Sequence, residues 1–126
     1  MTSFRPTLAV AATLGFTGVA LGAFGAHALA DTIGAESLPT WKTAVQYQLI
    51  HAVALLGIAA LEARSAAALL RWSGRLFVLG VVLFSGSLYV LVLDGPRWLG
   101  PVTPLGGLAL LAGWLLLGIF GLRSER

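Results

Sequence analysis

Cysteine is absent from this sequence, and charged residues are scarce. The lack of cysteine excludes disulfides, thiolate metal sites and thiol nucleophiles, and leaves the redox compartment undetermined. Charged residues make up 10% of the 126 residues and hydrophobic residues 58%, whereas charged residues make up about 25% of a soluble domain. A chain of this length has no aqueous core large enough for so much apolar surface, so the composition predicts an integral membrane protein.

Four apolar runs account for most of the chain, at residues 8–29, 44–61, 76–93 and 105–122. At 1.5 Å per residue, a helix of about 18 residues spans roughly 27 Å, close to the hydrocarbon thickness of a bilayer. We therefore predict one all-α domain over residues 1–126, with four transmembrane helices in an up-down bundle. The middle connector, residues 62–75, contains SAAALLRW and favours a short interfacial helix with Arg71 and Trp72 at headgroup level.

The basic residues occur singly and predict an orientation. With four spans, one side of the membrane holds both termini and the middle connector, and the other side holds only Lys42 and Arg97. The positive-inside rule then places both termini in the cytoplasm. The cations on that side are Arg5, Arg64, Arg71, Arg75, Arg123 and Arg126. The net charge of +3 comes from these scattered residues, so we expect membrane lipid as a partner and no nucleic acid.

The first apolar run has a second interpretation. Arg5, the apolar stretch and AHALA before Asp31 have the order of a signal peptide with an A-x-A cleavage site, and cleavage would leave three spans. The run is longer than the 7–15 residues typical of a signal core, which favours an uncleaved helix. Gly15, Gly18, Gly22 and Gly25 recur at spacings of three and four on one face of that helix. Small residues at such spacing allow another helix to approach closely.

Polar residues from all four spans are expected at one level, in the outer half of the bundle. On the second span, Tyr47, Gln48 and His51 share a face, while Gln46 points elsewhere. Intramembrane polar groups are functional-site candidates, and they also fix the register of packed helices. This candidate cluster has two interpretations, a hydrogen-bond network that locks the helices and a ligand pocket. Its members are His27, Gln46, Tyr47, Gln48, His51, Ser85, Ser87, Tyr89 and Thr103.

The residues offer little for catalysis. Two histidines without cysteine or an intramembrane acid make a zinc or copper site improbable, and His27 and His51 are poorly matched in depth as axial haem ligands. A hydrolase using Ser85 or Ser87 with His51 would need an orienting acid. A proton path would need further ionisable residues below His51. We therefore expect no enzyme, no metal and no cofactor.

Four ordered motifs carry a resemblance over nearly the full chain: GAFGAHAL, WKTAVQYQLIHAVALL, FSGSLYVLVL and TPLGGLALLAGW. They resemble the YgdD/YwdK-like family of small bacterial inner-membrane proteins, which has similar eukaryotic transmembrane relatives. The resemblance implies a multi-pass inner-membrane protein with four spans and no cleaved signal, and it implies no activity, because the family's function is unknown. We expect an accessory or assembly partner of a larger membrane complex, or a homo-oligomer. The alternative is a small-molecule, quinone or lipid binder, or an oligomeric transporter, with an outer polar pocket.

Overall fold

The computed structural model describes residues 4–123, which contain no strand. Helix α1 covers Phe4–Phe24 and continues through one π-helical segment, Gly25–Leu29, into the short helix α2, Ala30–Ile33. The three other long helices are α3, Leu38–Glu62, α4, Ala68–Val92, and α5, Val102–Arg123. A 3₁₀ turn, Arg97–Leu99, precedes α5. Arg126, one of the cations used for the orientation, lies outside the described residues.

Four helical stretches are long and apolar enough to cross a membrane: Phe4–Leu29, Leu38–Glu62, Ala68–Val92 and Arg97–Arg123. They confirm the four predicted spans. Several helices begin well before their apolar runs, and α3 and α4 start at residues 38 and 68, not 44 and 76. The extra turns hold Trp41, Lys42 and Trp72, and such side chains are tolerated at an interface because their polar tips reach the headgroups. Pro39, at the start of α3, suits the first helical turn.

The prediction of a separate interfacial helix in the middle connector is wrong. Helix α4 begins at Ala68 and runs without a break through Trp72 to Val92. Ser73 and Gly74 do not interrupt it, because both are buried against neighbouring helices. The Ser73 hydroxyl donates to the Gly113 carbonyl of α5 at 2.8 Å. Packing against α3 and α5 therefore extends the third span toward the connector.

Consecutive long helices are spatial neighbours, in the order α1, α3, α4, α5. Thr7 near the start of α1 bonds to Glu62 at the end of α3, and Ser85 in the second half of α4 bonds to Ala44 near the start of α3. These contacts are those of antiparallel neighbours, so the up-down arrangement is confirmed. We call the end of the bundle that holds Phe4 and Arg123 the terminal end, and the other the opposite end.

Close helix approach occurs at glycines on α1, the π-helical segment, α4 and α5. A Cβ added at Gly18 or Gly22 would contact Leu49 or Val45 of α3, and one at Gly25 would meet the Trp41 ring. A Cβ at Gly15 would meet no atom within 4 Å, so this glycine does not serve the packing predicted for it. Gly106 of α5 lies directly on the α4 backbone. The main apolar core lies beside these contacts and contains Ala11, Leu55, Ile58, Phe77, Val81 and Leu110.

Candidate functional site

Gln48 is the centre of the polar network. Its side chain is buried, and its Nε2 donates to the Leu14 carbonyl at 2.9 Å and to the Thr17 hydroxyl at 2.8 Å. Its Oε1 accepts from the Tyr89 hydroxyl at 2.7 Å. Both amide hydrogens and the amide oxygen are therefore used. One side chain of α3 thus joins α1 on one side to α4 on the other.

His51 is buried one turn further along α3, and its hydrogen bonds define its tautomer. The Trp114 indole Nε1 lies 3.0 Å from His51 Nε2, and His51 Nδ1 lies 2.7 Å from the Tyr47 carbonyl oxygen. An indole N–H only donates, so Nε2 must be the unprotonated nitrogen that accepts it. Nδ1 then carries the hydrogen and donates to the carbonyl. The imidazole is therefore neutral, with both nitrogens engaged.

The hydroxyl groups of α4 tie it to both of its neighbours. Ser85 donates to the Ala44 carbonyl of α3 at 2.7 Å. Ser87 donates to the Phe84 carbonyl at 3.0 Å, which leaves its oxygen free to accept from Thr103 at the start of α5. Together with Gln48 and His51, these contacts connect all four spans. We call the set Gln48, His51, Ser85, Ser87, Tyr89 and Thr103 the polar layer.

Aromatic rings surround the polar layer. The Trp41 indole donates to the Leu21 carbonyl at 2.9 Å, and its ring lies 4.9 Å from that of Tyr89 between centroids. The Phe77 and Trp114 rings flank His51 with centroid distances of 5.1 and 5.8 Å. These rings exclude water from the hydrogen bonds of the layer, which strengthens the bonds because the local dielectric is low.

Three candidates from the sequence lie apart from the polar layer. His27 is exposed in the π-helical segment, and none of the hydrogen bonds described for residues 4–123 involves it. Gln46 is exposed on the other face of α3 and lines a recess instead. Tyr47 is also exposed, and its hydrogen bond to the layer comes from its backbone carbonyl, while its ring packs 4.5 Å from that of Phe84 and 6.3 Å from that of His51 between centroids.

The level of His51 along α3 follows from the bounds of the helix. His51 is 13 residues from the first residue of α3, a helix of 25 residues, which places it about 20 Å along an axis of about 37 Å. It therefore lies near the middle of the span. The depth of His51 in the membrane, and with it the outer half, stays a prediction. Sequence reasoning also missed Thr17 and Trp114 as members of the network. The only signal for Thr17 was a hydroxyl within an apolar run, and the only signal for Trp114 was an indole N–H within another.

The fully buried polar atoms around the layer are all hydrogen-bonded. Among residues 4–123, every fully buried side-chain nitrogen and oxygen has a hydrogen-bond partner. His51 has no lone pair left for a metal or for proton abstraction unless the Trp114 bond breaks first. No group of three potential metal ligands occurs in the described part of the chain. Hydrogen-bond networks of this kind fix the register of packed helices, so these bonds favour the first of the two interpretations of the cluster.

The tautomer of His51 can be tested with Trp114→Phe. Phenylalanine keeps an aromatic ring beside His51 but removes the N–H donor, so we expect the ¹⁵N shift of His51 Nε2 to move toward that of an unbonded nitrogen. Stability should fall by only about 0.6 kcal/mol, the mean for one such bond in a membrane bundle. Nitrogen NMR of histidine-labelled protein in lipid measures both rings, and exposed His27 is the internal control. A protonated Nε2 in the unmodified protein would contradict the assignment.

Comparison with known proteins identifies related chains but no activity. The model of a family described as "Protein of unknown function (DUF423)" matches residues 21–107. The "UPF0382 inner membrane protein YgdD" of Escherichia coli K12 is 46% identical over 126 residues, which is 100% of this chain and 95% of the relative. The "UPF0382 membrane protein SH2409" of Staphylococcus haemolyticus is 44% identical over 99 residues, covering 79% and 80%. No solved structure matches.

Proposed function

We propose that this chain, which belongs to the DUF423 family of proteins of unknown function, is a non-enzymatic accessory or assembly partner of a larger membrane complex. It is a multi-pass inner-membrane protein, like the relatives to which it is similar. We expect both termini in the cytoplasm, from the distribution of arginine and lysine.

The observation that carries this proposal is the internal use of the polar layer. Gln48, His51 and Ser85 are buried and bond to the backbone or side chains of the bundle. The connectors between the spans are short, at residues 34–37, 63–67 and 93–101 with one 3₁₀ turn. The remaining means of action are the lipid-facing sides of the helices. An accessory subunit works through such surfaces.

Open glycines on these sides provide probes for a partner helix. A Cβ added at Gly15, Gly57, Gly86 or Gly118 would meet nothing within 4 Å. A larger side chain there should leave the bundle intact and obstruct a neighbour, because helices in lipid associate by close packing at small residues. Gly57 and Gly118 lie on the exposed surfaces of α3 and α5.

The test is purification in mild detergent followed by mass spectrometry of the co-purifying proteins. We expect stoichiometric partners, and we expect Gly57→Leu or Gly118→Leu to reduce one partner's recovery at least severalfold without loss of helicity. Gly15→Leu applies the same test to α1, and the helix whose variant loses the partner is the side on which that partner packs. A homo-oligomer without any partner, from membranes solubilised under several conditions, would overturn the proposal.

A second candidate function is the binding of a small molecule, quinone or lipid. It is supported by a recess of about 380 Å³ between α1 and α3, which includes Gly22, Trp41, Lys42 and Gln46. Gln46 provides an exposed amide, and Lys42 an ammonium group, beside the apolar side chains of Val45, Leu49 and Ile50. Mass spectrometry of an organic extract should then show a bound compound that Gln46→Leu removes. An identical extract from both proteins would contradict this alternative.

A further inference from the structure

A groove at the terminal end has both charged and apolar walls. It lies between α1, α3 and α4 and has a volume of about 560 Å³. Helices α1 and α4 both pack on α3, and the groove opens between them. Its charged residues are Glu62, Arg71 and Arg75, and its apolar wall on α4 includes Val78, Leu79 and Val82.

The two arginines present positive charge to this groove. Arg71 and Arg75 are four residues apart on α4, so their side chains lie on the same face, and both are exposed. Neither is paired in a salt bridge within residues 4–123. The Arg75 guanidinium carbon lies 4.9 Å from the centroid of a Trp72 ring, which holds its planar group near the interface. Two unpaired guanidinium groups at headgroup level match a phosphate.

Glu62 adds a negative group to the same groove. It is the last residue of α3, and only 7% of its surface is exposed. The Thr7 hydroxyl donates to its Oε1 at 2.6 Å, which leaves Oε2 as an acceptor toward the groove that Glu62 lines. A buried carboxylate is costly unless it is paired or fully hydrogen-bonded. A cationic N–H donor in the groove would satisfy it.

The charged and apolar groups follow the order of groups in a phospholipid. Glu62 marks the end of α3, next to the connector, and Arg71 and Arg75 lie about 4.5 and 10.5 Å along α4 from its first residue by helical rise. The distance from Arg71 to Val82 is about 16 Å by the same measure. It corresponds to one leaflet, half of a hydrocarbon core about 30 Å thick. From water inward, the groove therefore presents an acid, two guanidinium groups and an apolar wall.

We propose that this groove is a binding site for one phospholipid with a primary-amine headgroup. The phosphate binds Arg71 and Arg75, the ammonium donates to Glu62, and an acyl chain lies along Val78 and Val82. The site lies at the terminal end of the bundle, whereas the Gln46 recess lies toward the opposite end. Its occupation does not depend on a protein partner. It adds a lipid specificity that the accessory role does not require.

The test is a competition among three lipids for the delipidated full chain. Phosphatidylethanolamine, phosphatidylglycerol and phosphatidylcholine with identical dioleoyl chains are supplied in equal amounts, and native mass spectrometry counts the bound molecules. We expect phosphatidylethanolamine to be retained about three- to fivefold over each of the others, the ratio that one additional intramembrane hydrogen bond supplies. Phosphatidylcholine is the critical comparison, because its ammonium has no N–H to donate.

Substitutions separate the two halves of the site. Glu62→Gln retains an oxygen acceptor for Thr7 but lacks the negative charge, so the preference for phosphatidylethanolamine should disappear while phospholipid binding persists. The double variant Arg71→Gln with Arg75→Gln should lose all three lipids. Arg97→Gln at the opposite end is the matched control and should bind as the unmodified chain does. The unmodified chain alone can overturn the proposal. It would do so if it retained the three lipids equally or preferred phosphatidylglycerol.

Discussion

Gly106→Ala is expected to destabilise the bundle by about 3 kcal/mol, the upper part of the usual range for overpacking a close contact. The added Cβ would lie 2.8 Å from the Leu83 carbonyl carbon and from the Phe84 Cα. Both atoms belong to the α4 backbone, so no change of side-chain rotamer relieves the collision. Helix α5 must move away from α4 instead. That movement also disturbs the bond between Ser73 and Gly113.

The measurement is unfolding in mixed micelles with increasing sodium dodecyl sulfate, followed by circular dichroism. Gly118→Ala is the control, because it lies on the same helix and its Cβ would meet nothing within 4 Å. We expect its midpoint to remain at that of the unmodified chain or to rise, since alanine is the better helix former. Equal midpoints for the two variants would contradict the close approach of α4 and α5.

The four spans could be predicted from the sequence because hydrophobicity alone determines which segments stay in lipid. The residues at which the helices end could not be predicted in the same way. Trp41 and Trp72 interrupt no helix, and packing of Ser73 and Gly74 against α3 and α5 continues α4 beyond its apolar run. The position of His51 along α3 depends on where the helix begins, and the apolar run alone did not indicate that start. The predicted cytoplasmic termini follow from charge and stay a prediction.

The side chains that form the polar layer were only partly predictable. Helical spacing places Gln48 and His51 on one face, but the identity of their partners depends on the register between helices. Thr17 and Trp114 bond to them from α1 and α5. His27 lies within the π-helical segment, which adds a residue to the turn and so alters the face that a side chain occupies. His27 was placed in the cluster by its level at the end of the first apolar run, and a level does not determine which face a side chain occupies, so its exposure could not be predicted.

The glycine pattern shows a similar limit. The spacing of Gly15, Gly18 and Gly22 defines a face of α1 but not the point at which α3 crosses it. At the level of Gly15, the contact is made by Leu14, whose carbonyl accepts from Gln48, and one turn earlier by buried Ala11. Two helices that cross at an angle drift out of contact along a single stripe. Gly18 and Gly22 lie within the contact, and Gly15 lies beside it.

Gln48→Leu is expected to reduce stability by about 2 kcal/mol, because three interhelical hydrogen bonds of roughly 0.6 kcal/mol each are lost. Leucine preserves most of the volume, so the loss reports the hydrogen bonds. Gln46→Leu is the matched control two residues away, where the amide is exposed and takes no part in the layer. It should leave the unfolding midpoint unchanged or raise it. Equal effects of the two substitutions would contradict the structural role of Gln48.

A double-mutant cycle assigns the contribution of one bond within that loss. Tyr89→Phe removes the hydroxyl that donates to Gln48 Oε1 and keeps the ring contact with Trp41. The coupling free energy between Tyr89→Phe and Gln48→Leu should be about 0.6 kcal/mol. The coupling free energy between Tyr89→Phe and the control Gln46→Leu should be close to zero. If Gln48→Leu instead retains full stability and loses a co-purifying molecule, the layer is a ligand site. Since each amide hydrogen of Gln48 already has an acceptor on α1, we expect the loss of stability.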